Sequence, residues 1–326
     1  MRIAAQSLRG AGIAFWIVFA LALGVGGETA LMGLPNLGGA LMPGGFEAEA
    51  HSWPITDFVA LTFAGPLRST PQAGISDGTT WATRPRAPTP ARAHPAIAIV
   101  IDDMGSDVAS NRRAIALPAA VALSFLPYPE ATAQLAREGA RAGHDILVHL
   151  PMQAESREED PGPMALRTDL PLPEINRRID WAFSRVPGFI GINNHMGSLY
   201  TQDRAALVPV AEAVADRHVF FLDSRTTQNS QIVPVARAFG AASASRDVFL
   251  DDVQDPRQVA DQLAELERYA RASGVAIAIG HPHSVTLDVL GPWCANLKDY
   301  RLVTIATAIR MKTEREVNMS LASLGR

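Results

Sequence analysis

Residues 97–103 read IAIVIDD: five apolar side chains, then two adjacent aspartates. A short apolar run bounded by polar residues predicts a buried strand. Further runs of the same kind fall at 121–125, 146–150, 188–192, 219–222, 248–250, 275–279 and 302–306. Helix-like segments lie between several of them. Residues 173–186 place Ile175, Ile179 and Val186 on one face. Asp255-Pro256 is a good helix start, with the carboxylate as N-cap and proline first in the helix. Val259, Leu263, Leu266 and Ala270 then recur at helical spacing, and Gly274 ends the segment. Strand–helix alternation of this kind predicts an α/β fold with a parallel sheet and helices outside. Eight candidate strands favour a barrel, irregular or incompletely closed, over an open sheet.

The ends of these runs carry the chemistry. The first runs into Asp102-Asp103, the third into His149, and the fourth into Asn193-Asn194-His195. Others run into Asp223-Ser224-Arg225, Asp251-Asp252 and Gly280-His281-Pro282-His283. In a parallel barrel all strand C-termini share one face, where active sites are assembled from several strands. Adjacent carboxylates repel unless a cation or proton intervenes. On an extended backbone Asp102 and Asp103 would point to opposite sides and could do different work, one holding a metal and the other acting as a base. Either could instead cap a helix opened by Met104-Gly105-Ser106. Two histidines and a carboxylate form a known catalytic metal set with an open position for water, so His149 and His195 join Asp103 as candidate ligands. The donor types suggest a divalent metal, zinc first. His281 is a candidate proton donor. His283 is equally readable as an exposed loop residue. Asp223 and Arg225 could orient neighbours or form a plain surface pair, and Asp251-Asp252 receive no catalytic role. His144 sits at a strand start and faces the wrong end. No G-x-S-x-G turn is present, and Cys294 lies beyond the strand-end pattern.

The remaining sequence sets the context. The chain has 326 residues, 48% hydrophobic and 19% charged, with a net charge of −4. That balance argues against nucleic-acid binding by bulk charge. A single cysteine excludes an intramolecular disulfide. Residues 10–27 read GAGIAFWIVFALALGVGG, uncharged, after Arg2 and Arg9. The run is long enough to be a membrane anchor, and a cleaved export signal remains open. With either, the positive-inside rule sends the rest to the periplasm or outer cell surface. We therefore divide the chain into an anchor or signal segment at 1–33, a Pro/Gly-rich linker at 34–95, a catalytic-type domain at 96–310 and a polar, frayed tail at 311–326.

The set AIVIDDMG, HDILVHLPMQ, GINNHMGS, FFLDSRT and AIGHPH resembles the divergent polysaccharide deacetylases, themselves distantly similar to the carbohydrate esterase family 4 deacetylases. The resemblance spans about residues 96–310. It implies an irregular (β/α) barrel of about seven strands. It implies Asp102 as general base, Asp103 as the metal-binding aspartate, His149 at the start of the histidine metal motif and His281 as general acid. The esterases have a second histidine four residues after the first, where this chain has Gln153, so His195 would supply the third ligand from another strand. The esterases' arginine-proline motif is missing, with Asn193-Asn194-His195 in its neighbourhood. The expected function is metal-dependent removal of acyl groups from a cell-envelope polysaccharide or peptidoglycan-type glycan. A non-catalytic carbohydrate-binding or scaffold protein on the same barrel is the alternative. A paired-carboxylate glycosidase fits less well, because it would leave the histidines without a role.

Overall fold

The computed structural model describes residues 94–324. The apolar run at 10–27 and nearly all of the linker lie outside the described residues. Among those described, no helix is long and apolar enough to cross a membrane.

The elements follow in order: β1 (Ala96–Met104), α1 (Val108–Ile115), β2 (Ala122–Phe125), α2 (Thr132–Arg141), β3 (Ile146–Met152), α3 (Leu172–Arg185), β4 (Gly191–Met196), α4 (Arg204–Asp216), β5 (Phe220–Asp223), α5 (Ile232–Ala238), β6 (Ser243–Ser245), β7 (Val248–Phe249), α6 (Pro256–Ser273), β8 (Val275–Gly280), α7 (Ser284–Ala295), β9 (Arg301–Leu302) and α8 (Ile305–Leu324). They build one nine-stranded sheet in the order β6-β5-β4-β3-β2-β1-β8-β7, with β9 paired to β1. Every pairing is parallel. The α/β barrel class expected from the alternation is therefore found. Helix α6 also starts and stops as its caps predict. Asp255 accepts from the N–H groups of Arg257 and Gln258, and Gly274 ends the helix at φ 81°.

The sheet curls until its edges nearly meet. Strand β6 is one edge and β7 the other, yet only Arg246 and Asp247 separate them in the chain. Three Cα steps span at most about 11 Å. The Arg246 N–H donates to Asp223 O on β5 at 3.0 Å, and the next N–H, of Asp247, donates to Ile277 O on β8 at 2.8 Å. A dipeptide thus bridges a seam that no β6–β7 ladder closes. Lys312 of α8 clamps it, donating from Nζ to Asp247 Oδ1 at 2.7 Å and to Ser245 O at 3.1 Å.

Strand alternation divides the core in two. On β1, Ile97, Ile99 and Ile101 face outward and pack with Leu135 of α2, Ile179 of α3, Val210 of α4 and Leu263 of α6. Ala96, Ala98 and Val100 face inward, with Ala122, Leu147, Leu222, Ala244 and Ile277. The small inward residues leave room for α8, whose Ile305, Ala308 and Ile309 complete this inner core. Two expectations are corrected here. Residues 302–306 are not a strand, since β9 is two residues long and α8 starts at Ile305. Residues 311–324 are not frayed but continue α8, because its first turns are anchored by buried apolar residues at helical spacing.

Because Ile305 fills the inner core, Ile305→Ala is expected to cost about 2–5 kcal/mol. Urea unfolding would show this as a lower midpoint at unchanged slope. A shift equivalent to less than about 0.5 kcal/mol would mean that α8 does not fill the barrel.

Candidate active site

The inward-facing parity that gives alanines low in the barrel gives polar residues at its C-terminal mouth. On β1 it reaches Asp102, on β2 Ser124, on β3 His149, and on β4 Asn193 and His195. The ladder sets their heights: His149 pairs with Asn193, and Pro151 with His195. On β8 the same parity continues past Gly280 to His281.

Asp103 breaks the alternation. The register between β1 and β2 slips between Ile101 and Met104, and Asp103 takes φ 54°. Bulges next to active sites re-aim side chains, and a non-glycine residue in the left-handed region marks local strain. The expectation that the two carboxylates point apart is overturned for this reason. Both turn to one imidazole: His149 Nε2 lies 3.6 Å from Asp102 Oδ2 and 3.3 Å from Asp103 Oδ1. Neither caps a helix; Asp107 does, accepting from the Ala109 N–H at 3.0 Å. Met196, the last residue of β4, and Arg225, two residues past β5, also have positive φ, at 52° and 54°. Local strain therefore recurs around the mouth.

Asn193, fully buried, organises the floor. Its Nδ2 donates to both Asp102 oxygens at 2.9 Å and to Ser224 Oγ at 3.0 Å. Its Oδ1 accepts from Ser124 Oγ at 2.5 Å and from His149 Nδ1 at 3.0 Å. With the His149 proton on Nδ1, the Nε2 lone pair points at Asp103. His195 Nδ1 lies 2.9 Å from Asp103 Oδ1 and 3.2 Å from His149 Nε2. Despite these distances, Asp103 Oδ1 is buried and no donor is aligned on it. Three electron-rich atoms converge where a proton or a cation is required. Asp103, His149 and His195 thus offer one oxygen and two nitrogens, a set that suits a divalent metal. The Asn193 bond behind His149 is the kind of support that orients a ligating imidazole.

The electrostatics agree. Burial raises the Asp102 carboxyl above its ordinary value, and the nearby His149 and His281 only partly offset it. Burial would raise Asp103 too, but its contacts with His149 and His195 outweigh burial and hold it low. Burial would lower His149, yet Asp102 and Asp103 raise it. The pocket demands positive charge.

His281 stands across the mouth, its Nε2 3.8 Å from Asp103 Oδ2. Its Nδ1 donates to Asp251 Oδ1 at 2.9 Å, and its backbone N–H donates to Asp251 Oδ2 at 2.7 Å. Burial opposes its charge, but Asp251 raises it to about 9. Asp251, read from sequence as playing no catalytic part, is thus the partner of His281. Gly280 permits the approach: a Cβ there would meet Leu250 at 3.2 Å and Asp251 Oδ2 at 3.4 Å. Asp251, His281 and His283 form a second cluster with metal-ligand spacing. However, the Asp251 oxygens already accept from His281 twice and from Thr286 Oγ1.

The other candidates have local roles. Asp223 Oδ1 accepts from the Arg225 N–H at 2.7 Å, and its Oδ2 accepts from Ser245 Oγ at 3.1 Å, so it shapes a turn. His283 accepts from Gln254 Nε2 at 3.1 Å. Gln153 accepts from Thr168 N at 2.9 Å and Oγ1 at 3.2 Å, and so binds the following loop. His144 is structural, bonded to the Val121 and Ile115 carbonyls. Asn193, Ser124 and Ser224 were missed as functional residues. The alternation counted back from His195 points inward at Asn193 and was the available signal.

A parallel barrel with carboxylates and imidazoles converging at its C-terminal mouth defines the class to which comparison then leads. Residues 99–309 match the divergent polysaccharide deacetylase family, and the chain belongs to it. It is 35% identical over 227 residues to the uncharacterized protein YibQ of Escherichia coli K12, covering 69% of each chain. It is 37% identical over 210 residues to an uncharacterized Haemophilus influenzae protein, covering 64% of this chain and 74% of the other. The crystal structure of an uncharacterized protein from Agrobacterium tumefaciens C58 matches with a TM-score of 0.63 at 25% identity, covering 66% of this chain and 89% of that one.

Two outcomes follow. Asn193→Leu leaves the buried Asp102 without its main donor, and should cost about 1–3 kcal/mol in urea or thermal unfolding. A loss below about 0.5 kcal/mol would mean that Asp102 finds another partner. Burial pushes the Cys294 thiol up to about 11. Iodoacetamide at pH 8 should therefore label it far more slowly in the folded than in the urea-unfolded protein. Equal rates would show an accessible, ordinary thiol.

Proposed function

We propose that this chain is a metal-dependent hydrolase that removes acyl groups, N-acetyl first, from a cell-envelope polysaccharide or peptidoglycan-type glycan. One observation carries the reading: a buried Asp103 oxygen without an aligned donor faces the ring nitrogens of His149 and His195. Those three residues would hold the ion, with zinc favoured by the nitrogen-plus-carboxylate set. When bound, the ion would supply Lewis acidity toward the acyl carbonyl and lower the pKa of water. Asp102 is the base that takes the proton from the attacking water, and Asn193 fixes both its oxygens. His281, held by Asp251, gives a proton to the departing amine or hydroxyl through Nε2. The half-buried Cys294 thiol is too weakly acidic to serve as a nucleophile.

We further propose that the reaction takes place outside the cytoplasm, in the periplasm of a bacterium. The apolar run at 10–27 behind Arg2 and Arg9 supports this reading, whether as an anchor in the inner membrane or as a cleaved signal.

The test is metal content and acetate release by the full chain incubated with zinc, cobalt or manganese. About one bound equivalent is expected, and both Asp103→Ala and His195→Ala should lose it. Acetate release in those variants should fall by about 100-fold or more. His281→Gln should instead keep the metal and lose about 100-fold in kcat. A folded protein that takes up no metal would overturn the hydrolase reading in favour of a binding or scaffold role.

A further inference from the structure

A second cavity adjoins this mouth. It measures about 610 Å³, within the size range of small-ligand pockets, and Arg225, Thr226, Arg246 and Phe249 line it. Its wall is shared with the candidate active site. The Phe249 ring lies 5.3 Å from the His281 ring, centroid to centroid. The Arg246 guanidinium lies over the same ring, 4.8 Å from the Phe249 centroid. Thr226 Oγ1 donates to Met196 O at 3.0 Å, one residue beyond His195.

The two guanidinium groups lack the partners that buried or clustered arginines usually have. Among the described residues neither forms an ion pair with a carboxylate. Arg246 donates only to carbonyls, from Nε to Ser224 O at 2.5 Å and from Nη2 to Arg225 O at 3.2 Å. Arg225 donates from Nη2 to Gln228 Oε1 at 3.0 Å. Of the cavity's acidic residues, Asp247 is taken by Lys312, and Glu265 contacts Arg268, although its buried Oε2 has no aligned donor. Asp252 is left as the one lining carboxylate without an ion pair among the described residues, against two such arginines. Burial, then repulsion from Arg225, lowers the Arg246 guanidinium from its usual value. Two adjacent cations, one on a residue with positive φ and both with hydrogen-bonded side chains, stand beside an aromatic face, a combination that suits an anionic group.

We infer that Arg225 and Arg246 bind an anionic substituent, carboxylate or phosphate, on the sugar next to the acylated one, so that the substrate is an acidic glycan. The inference rests on the deacetylase reading for the identity of the reacting group. Its own content, a preference for anionic over neutral glycan, does not depend on turnover. The Arg246 bond to Ser224 O also ties this cavity to the floor of the reaction site, because Ser224 Oγ accepts from Asn193, which holds Asp102.

The experiment is calorimetric binding to the full chain, with and without zinc. The probes are N,N′-diacetylchitobiose and the same disaccharide bearing a carboxylate or a phosphate at C6. The wild type should bind one or both anionic probes about tenfold more tightly than the neutral one, the worth of a charge-assisted contact. Which of the two binds more tightly identifies the anion. The preference should shrink with added salt and vanish in Arg225→Gln and in Arg225→Gln/Arg246→Lys. The lysine retains a charge if Arg246→Gln fails to fold. Equal binding of all probes, binding of none at millimolar concentration, or an unchanged preference in the double variant overturns the inference. Preference for an anionic probe without acetate release from any probe would overturn the deacetylase reading and leave this one standing.

Discussion

The bulge that turns Asp103 into the left-handed region brings two carboxylates, adjacent in sequence, onto one buried histidine. Like charges this close cannot both be held away from water without compensation. The site provides it unequally. Asp102 is sealed in and receives the two bonds of Asn193, yet burial still raises it. Asp103 keeps one side toward the mouth, and His149 and His195 hold it ionised. One carboxyl is thereby raised and the other held ionised. The split follows from where each carboxylate lies, since the residue type is the same.

The barrel makes this affordable by sorting polarity along its axis. Low in the interior, alanines and aliphatic residues enclose the start of α8, and the cost of closing a short sheet around a core is met there. At the C-terminal mouth the same strands deliver aspartate, serine, histidine and asparagine. The curled sheet has no ladder between β6 and β7, so its seam at Arg246 depends on other groups. Lys312 and the N–H groups of Arg246 and Asp247 hold it. The cavity lined by Arg225, Arg246 and Phe249 lies along this seam.

Much of this was readable beforehand. Apolar runs ending in ionisable residues announce both the strands and the face that carries chemistry. Asp255-Pro256 and Gly274 mark α6 because capping is local. Strand β6, Ser-Ala-Ser, was missed because three small, half-polar residues carry no hydrophobic period. The course of α8 was missed because its buried face is short and its later turns are polar. The turn at Asp103 left no mark, since aspartate adopts positive φ without any sequence companion. The Asp251–His281 pair depends on β7 lying beside β8, a tertiary order that no local pattern encodes.

The third donor of this cluster shows how one group of donors draws on more than one strand. A metal requires donor atoms at one point, and the strand that supplies them is indifferent. In the esterase pattern the second histidine follows the first by four residues. Here that position is Gln153, whose carbonyl is occupied with Thr168. Strand β4 runs beside β3 in parallel register, with His195 opposite Pro151, two residues on from His149. Alternation turns His149 and His195 to the same face, and two residues of stagger plus one strand spacing bring Nε2 and Nδ1 to 3.2 Å. The same strand carries Asn193, two residues before His195 on the same face. Asn193 then bonds His149 and Asp102 together. His195 and the amide that bonds Asp102 thus come from one strand, so the three-donor group forms without a histidine at Gln153.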